Sequence, residues 1–459
     1  MKLWSVFLLF SLNLFFTGIS VSARPFKNLP PKTLIEHRQF SIMQGVTSKN
    51  YSSINILRNK IDKKKYLKIK ITEKESGKEL GSKNIAIKKF NIANSELYEL
   101  KIKFSSAKNY LLYVSDSDSV DIREFSNYDQ QKANFKVAIC SCLNDNYFSE
   151  QIKSWNSVSK LNPDYIFLIG DNVYADIGDK LSELNGCTPE RLLNRYIETR
   201  TRLELFYLKK LIPIAIIWDD HDYGKNNGGS DYKYKFASKR IFKDFSLNEN
   251  PEISEDGLGV GFKLKLANIN FLFLDDRFYR DKKYHFGQKQ EEWLFKNLET
   301  SENAKKADII ENPEPSQSVI ISGDQFFGKY HPFESFEGNH PENFKKFIEK
   351  ISNLKSTPLF ISGDRHISEL QKIEIGAYEQ SHPSPNKKIF EITSSPIHSS
   401  LPPEFTLKQF PNPHRVWAVA NKNNFCLINF QGESQEGFKN PELNFYGNQG
   451  LELYSRVIH

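Results

Sequence analysis

Three carboxylates and a histidine stand together at Asp219-Asp-His-Asp222, directly after the four apolar residues Ile214 to Ile217 and just before Gly224, Gly228 and Gly229. Adjacent acids repel one another unless a cation or a proton offsets them. The apolar run reads as a buried strand. In an α/β sheet, polar groups gather where strands end and loops open, so the cluster reads as a site rather than a solvated turn.

The arrangement recurs five times. Tyr165 to Ile169 runs into Gly170-Asp171, Ile214 to Trp218 into Asp219-Asp220, and Phe271 to Leu274 into Asp275-Asp276. Val319 to Ile321 leads to Asp324, and Leu359 to Ile361 to Asp364. One such Asp is a turn residue or helix cap. Five of them, interleaved with helical spans, are expected on one edge of a parallel or mixed sheet, an edge that needs cations.

Other donors stand beside these acids. Cys142 follows the strand Val137 to Ile139, Tyr174 follows Asp171, and His366 follows Asp364. Anionic phenol and thiol ligands favour a ferric ion, whereas carboxylates and an amide such as Asn226 favour calcium, magnesium or manganese. A mixed site with at least two metals follows. Such cations lower the pKa of a shared water and neutralise phosphate oxygens during in-line displacement. His221 is better cast as the group that protonates a leaving oxygen, with Asp222 orienting it, than as a ligand, although a histidine capping its own loop would look the same. Arg277 and Arg365 are placed either to hold a phosphate bidentately or to pair with a neighbouring Asp; for Arg280 the ion pair is the expectation. Cys142 is a ligand candidate, or else half of a disulfide with Cys187 or Cys426; Cys140 is too near it in sequence to bridge easily.

The elements that must position these groups fall into two parts. From Gln39 to about Ser126, short alternating runs such as Ser52 to Leu57, Tyr66 to Ile71, Asn84 to Phe90, Leu97 to Phe104 and Tyr110 to Val114 predict a small antiparallel β-sandwich domain, set at 37–126. No chemistry is legible in it. Asn127 to Asn134 reads as a linker, and from Phe135 to the end strands and helices alternate in a catalytic domain, 135–459. Thr188-Pro189-Glu190 is a helix start, and the helix is expected to reach about Lys210. Gln288 to Leu298 predicts another helix, with Trp293 in the core. Glu311 to Ser316 reads as a surface insertion, His398 follows a strand, and Ser400 to Arg415, with four prolines, reads as a lid or wrapping loop. Phe425 to Phe430 is expected to close a second layer.

At 459 residues and net charge +7 the chain is globular in composition, and its one dense basic run, Lys60 to Lys65, lacks the interleaved aromatics of a nucleic-acid groove. No nucleic-acid-binding module is expected. Lys2, the apolar run Leu3 to Phe16 and Val21-Ser-Ala23 read as a secretory signal peptide, 1–23. The expectation is export to a periplasmic or extracellular compartment, with no membrane span once the signal is cleaved.

Several blocks in order resemble the PhoD-like alkaline phosphatases of the calcineurin-like metallophosphatase superfamily. They are Ser141-Cys142, Gly170-Asp-Asn-Val-Tyr-Ala-Asp176, Trp218 to Asn226, Leu274 to Arg280, Gly287 to Leu294, Ser362-Gly-Asp-Arg-His366 and Thr393-Ser-Ser395. The resemblance covers nearly all of Phe135 to Phe430, and more faintly Gly45-Val-Thr-Ser48. It implies an α/β fold, a four-layer αββα sandwich preceded by the small β-sandwich, and phosphoester hydrolysis on Fe3+ with Ca2+ or another divalent ion such as Mg2+ or Mn2+. Carried over by motif, Cys142, Asp171, Tyr174 and His366 would bind the ferric ion. Asp171, Asp220, Asp364 and Asn226 would bind the divalent one, and His221 would be catalytic. Two features depart from the family: Asp324 stands where many members have an apolar residue, and the twin-arginine signal is absent.

The function expected is that of an exported phosphomonoesterase, a monomer acting on a small phosphorylated substrate. A phosphodiesterase or phospholipase D-like enzyme using the same site, or a surface-exposed binding protein with a structural metal site, are the competing readings.

Overall fold

The structure is a computed structural model. It describes residues 39–458 apart from 49, 60–65, 87–94, 106–107, 117–118, 128–131, 133, 249–258, 304–316, 376–386 and 435–436. The expected signal peptide, the Lys60 to Lys65 run, most of the expected linker and the expected insertion at Glu311 to Ser316 lie outside the described residues.

Alternation along the first part of the chain yields β1 (Phe40–Ser48), β2 (Tyr51–Arg58), β3 (Tyr66–Glu73), β4 (Glu79–Ala86), β5 (Glu96–Lys103), β6 (Asn109–Ser115) and β7 (Val120–Ser126). They form two antiparallel sheets, ordered β1-β2-β5 and β4-β3-β6-β7. Ile54, Ile56 and Leu100 meet Leu67, Ile69 and Leu112 in one core, while Met43, Leu57 and Leu97 on the opposite face join the main core of the chain. The three-stranded sheet is thus largely covered on both sides. That is why β1, buried from Phe40 to Thr47, has no polar alternation to announce it.

The next stretch places β8 (Phe135–Cys140), α1 (Phe148–Leu161), β9 (Tyr165–Ile169), α2 (Lys180–Asn185), α3 (Pro189–Arg202), β10 (Ile214–Ile217), α4 (Asp220–Tyr223) and α5 (Lys235–Ser246). Then come β11 (Phe262–Leu266), β12 (Ile269–Phe273), α6 (Gln288–Asn303), β13 (Gln317–Ile321), α7 (Phe336–Asn339), α8 (Pro341–Asn353), β14 (Leu359–Ser362), β15 (Ser368–Glu374) and β16 (Lys388–Thr393). The chain closes with α9 (Thr406–Gln409), β17 (Arg415–Val419), β18 (Asn424–Ser434), β19 (Gly437–Gly447) and β20 (Glu452–Val457).

The acid-ended strands do not share one sheet, as the sequence led us to expect. Strands β8, β9 and β10 run parallel in a six-stranded sheet, β10-β9-β8-β18-β19-β20, and β12, β13 and β14 run parallel in a seven-stranded one, β11-β12-β13-β14-β16-β15-β17. Period-two side-chain placement joins them. Phe271 and Phe273 point to Phe167 of the other sheet, with ring centroids 5.0 Å away in each case, whereas Leu272 and Leu274 pack with Leu294, Leu298 and Phe347 on the helical side. Each fully buried ring of this kind contributes about 2 kcal/mol from area alone.

Two further expectations change. Helix α3 has its Thr188 cap, the side chain accepting from Arg191 N–H, but it stops at Arg202 instead of Lys210. The following Leu203, Leu205 and Phe206 are all buried, and a continued amphipathic helix would leave part of that apolar run in water. Strand β18, expected in a second layer, instead pairs antiparallel with β8 and extends the six-stranded sheet. Helix α6 runs from Gln288 with Trp293 in the core, as expected.

Candidate metal centre

Backbone conformation marks the site independently of charge. Cys142, Asp171, Asp364 and His366 all adopt the left-handed region, with φ of 58°, 54°, 60° and 52°. Non-glycine residues there cost about 1 kcal/mol or more each, and such strain collects where function requires it. The loops after β9, β10 and β13 also approach closely. A Cβ at Gly170 or Gly323 would lie 2.6 or 2.7 Å from Asp219 Cβ, so the two sheet edges meet only because both positions are glycine.

The meeting brings two donor sets together. Asp171, Asp219, Asp220 and Asp364 each offer an oxygen within 4.8 Å of the others, and Cys142, Asp171 and His366 do the same with sulfur, oxygen and nitrogen. Tyr174 joins the second set: its hydroxyl donates to Asp171 Oδ2 at 3.3 Å, lies 2.9 Å from His366 Nε2 and accepts from Ser399 Oγ at 3.2 Å. Ser400 Oγ reaches His366 Nδ1 at 2.9 Å, so the proline-rich loop from Ser400 onward begins against this histidine.

The electrostatics fit bound cations. Burial, and then the charges of Asp220 and Asp364, push the Asp171 carboxyl well above the ordinary range despite the opposing pull of His221. Burial and the same carboxylate neighbourhood raise the Cys142 thiol and the Tyr174 phenol. Burial, with His221 and Arg365, pushes His366 down to about 4, leaving a neutral imidazole. Asp219 Oδ2 and Asp220 Oδ1 are buried without a hydrogen-bond partner among the described residues. Buried carboxylate oxygens are rarely left unpartnered, and a polyvalent cation would satisfy these two while favouring the anionic forms of the thiol and phenol.

His221 lies at the edge of the cluster, its ring 4.5 Å from that of Tyr174. Its Nδ1 is 2.7 Å from Asp176 Oδ1, and Asp176 Oδ2 accepts the Asn226 backbone N–H at 2.8 Å. Burial lowers the pKa of His221, but Asp176, Asp220 and Asp171 outweigh it and hold the group well above its usual value. The orienting residue is therefore Asp176 and not Asp222, which accepts from Asp219 N–H and Asn172 in the capping box of α4. Asp176 closes the same Gly170 to Asp176 block that carries Asp171 and Tyr174, a spacing the sequence displayed without revealing the partner.

Other residues are placed elsewhere. Arg277 is fully buried, with Nε 2.6 Å from Asp219 Oδ1 and Nη1 3.0 Å from Glu334 Oε1, so of its two alternatives it takes the ion pair rather than a phosphate. Arg280 pairs with Glu334, and lies 3.6 Å from Asp324, as expected for a structural arginine. Asp275 is ringed by donors: Trp218 Nε1, Arg277 N–H and Phe278 N–H on one oxygen and Val260 N–H on the other. It and Asp276 stay outside the four-carboxylate cluster. Arg365 remains at the rim, 3.5 Å from Asp364 and stacked 4.7 Å from the Phe333 ring. Asn226 is exposed, held through its backbone, while Asp219, unassigned from sequence, belongs to the cluster. All four cysteines are free, which removes the disulfide alternative for Cys142. His398 is structural: it accepts from Trp155 Nε1 at 3.0 Å and faces Asn144 O at 3.2 Å. No helix of the described residues is long and apolar enough to cross a membrane.

No protein-family model matches the chain, and no curated protein does. Among solved structures, that of PhoD is 15% identical and covers 91% of this chain and 92% of its own, with a TM-score of 0.64. A carbohydrate-binding module of the muscle glycogen-targeting subunit of Protein Phosphatase-1 matches 21% of this chain and 78% of its own at 12% identity, with a TM-score of 0.15, too low to bear on the fold. The first likeness spans both the β-rich leading segment and the two large sheets, and this chain has a PhoD-like fold.

Proposed function

We propose that the chain is an exported, metal-dependent phosphoesterase acting as a monomer on small phosphate monoesters. The observation that carries this reading is the meeting of Asp171, Asp219, Asp220 and Asp364 within 4.8 Å beside an imidazole aimed by Asp176. The layering implied by the resemblance, αββα, belongs to the same reading and is supported by the alternation of Phe271 and Leu272 between opposite faces of one sheet. Export rests on the sequence Met1 to Ala23.

Cys142, Asp171, Tyr174 and His366 would hold a ferric ion, and Asp171, Asp220 and Asp364 calcium or another divalent ion. Such ions supply Lewis acidity toward phosphate oxygens and acidify water. The protein's own contribution is positional. Asp176 keeps the proton on His221 Nδ1, which leaves Nε2 to face the substrate, and a protonated imidazole there delivers a proton to the departing alkoxide. Arg365, held over the Phe333 ring, offers a guanidinium to the phosphate at the rim. Arg277 orients Asp219 from beneath.

Release of p-nitrophenol from p-nitrophenyl phosphate, with and without chelator, tests the reading, with bis(p-nitrophenyl) phosphate run in parallel. Chelator-sensitive cleavage of the monoester is the expected result. Cleavage of the diester alone would transfer the assignment to diesters, and inertness toward both at every metal composition would end the enzyme reading.

A further inference from the structure

The segment from Lys225 to Lys243 carries six cations, Lys225, Lys233, Lys235, Lys239, Arg240 and Lys243, against the single acid Asp231, a local balance of +5 in a chain whose total is +7. Amid these charges Phe236, on the first turn of α5, is 71% exposed. Its ring stands edge-on to Phe278 at 5.3 Å and 85°. Lys235 Nζ lies 5.6 Å from the Phe236 ring centroid and 5.2 Å from that of Phe278, and Lys239 Nζ lies 5.0 Å from the latter. The lysine ammonium groups thus lie over a pair of rings of which Phe236 is exposed and Phe278 buried.

A second apolar projection is carried by α2. Leu181 and Leu184, one turn apart on α2, are 69% and 78% exposed. The end of α2 is pressed against this basic segment: a Cβ at Gly186 would lie 2.7 Å from the Tyr232 ring and 2.9 Å from Lys225 Cβ, and Tyr232 donates to Cys187 O at 2.5 Å. The surface also borders the metal centre, because Asn226, next to Lys225, holds Asp176, the partner of His221.

We infer that this face docks onto an anionic lipid bilayer, with Phe236, Leu181 and Leu184 entering the interface and the lysines of α5 and its approach meeting the headgroups. Exposed leucines and an exposed phenylalanine among lysines suit a medium that is apolar within and negative at its surface; a soluble polyanion would make no use of the apolar groups. Docking of this kind would set the mouth of the centre beside the membrane, and it does not depend on the proposed reaction.

Co-sedimentation of the full chain with vesicles of phosphatidylcholine alone, and of phosphatidylcholine mixed with phosphatidylglycerol, tests this directly. Binding to the mixed vesicles only, weakened by salt, is expected. The exposed-site variants Lys233→Gln/Arg240→Gln and Phe236→Ser should each lower the partition coefficient, the first by roughly 25-fold at about five-fold per charge, with thermal midpoints unchanged. Equal binding to both vesicle types, or wild-type partition in Phe236→Ser, would overturn the inference. So would a dimer in sedimentation velocity that Phe236→Ser abolishes, since the face would then belong to a second copy. Binding of soluble polyphosphate in place of the vesicles would overturn it in favour of a dissolved polyanion.

Discussion

Asp176 Oδ1 lies 2.7 Å from Nδ1 of His221, although forty-five positions separate them along the chain. The carboxylate fixes both the tautomer and the tilt of the ring, and Asp176 is itself locked by the Asn226 amide. Asp176→Asn is expected to lower kcat on an alkyl phosphate such as glycerol 2-phosphate, whose leaving alkoxide needs a proton, by about 10²-fold with metal content retained, comparable to His221→Ala. Steady-state kinetics with elemental analysis of the same samples checks this; a wild-type kcat in Asp176→Asn would remove the pair from the mechanism.

Cys142, Tyr174 and His366 form one donor set, Asp219, Asp220 and Asp364 form another, and Asp171 is common to both. Tyr174→Phe is therefore expected to lose iron while keeping the divalent ion, whereas Asp220→Asn loses the divalent ion first. Metal-to-protein ratios by mass spectrometry, taken after dialysis, distinguish the two. Unchanged ratios in Tyr174→Phe would take the phenol out of the coordination set.

Arg277 and Asp219 are fully buried together, and Glu334, which Arg277 also reaches, keeps a second partner in Arg280. Truncation leaves the Asp219 carboxylate buried without its counter-charge, so Arg277→Met is expected to cost about 3–5 kcal/mol in chemical denaturation. Because Asp219 belongs to the cluster, metal affinity should fall as well. A variant as stable as the wild type would contradict the buried-pair account.

His398 is fully buried, and burial pushes its pKa down to about 4, below the ordinary 6.5. The unfolded chain binds a proton between those values that the folded one refuses. The group's contribution to stability is thus complete above pH 6.5 and is lost as the pH falls through 6.5 toward 4, by about 3 kcal/mol at most. Denaturation midpoints at pH 7 and pH 4.5 should diverge less in His398→Gln than in the wild type. Identical pH slopes would show that the imidazole does not titrate between the two states.

Chelation should also destabilise the fold, since four clustered carboxylates, three of them buried, repel one another without a cation between them. The expected loss in thermal midpoint shrinks in Asp364→Asn, which removes one of those charges. Calorimetry with and without chelator measures both values, and equal losses in the two proteins would place Asp364 outside the cation site.

Several of these residues were legible before any coordinates. An apolar run ending in Asp is a local pattern, and it placed Asp171, Asp220 and Asp364 at strand ends because burial and chain reversal are short-range properties of the sequence. The helix start at Thr188-Pro189 and the core position of Trp293 were legible for the same reason. Strand β1 was not, because a strand buried on both faces need not alternate between polar and apolar residues.

Which sheet each strand joins was undetermined, since pairing depends on contacts hundreds of residues apart. Only the folded chain decided that β9 and β14 belong to opposing sheets whose loops meet across Gly170 and Gly323, and that Asp275, of the same local type as Asp220, is occupied by four donors. Arg277 and Arg365 look alike in sequence, each following an acid-ended strand. Burial in three dimensions made one an internal counter-charge and left the other at the rim, because a guanidinium's role is set by which carboxylates lie within reach of it and whether water does.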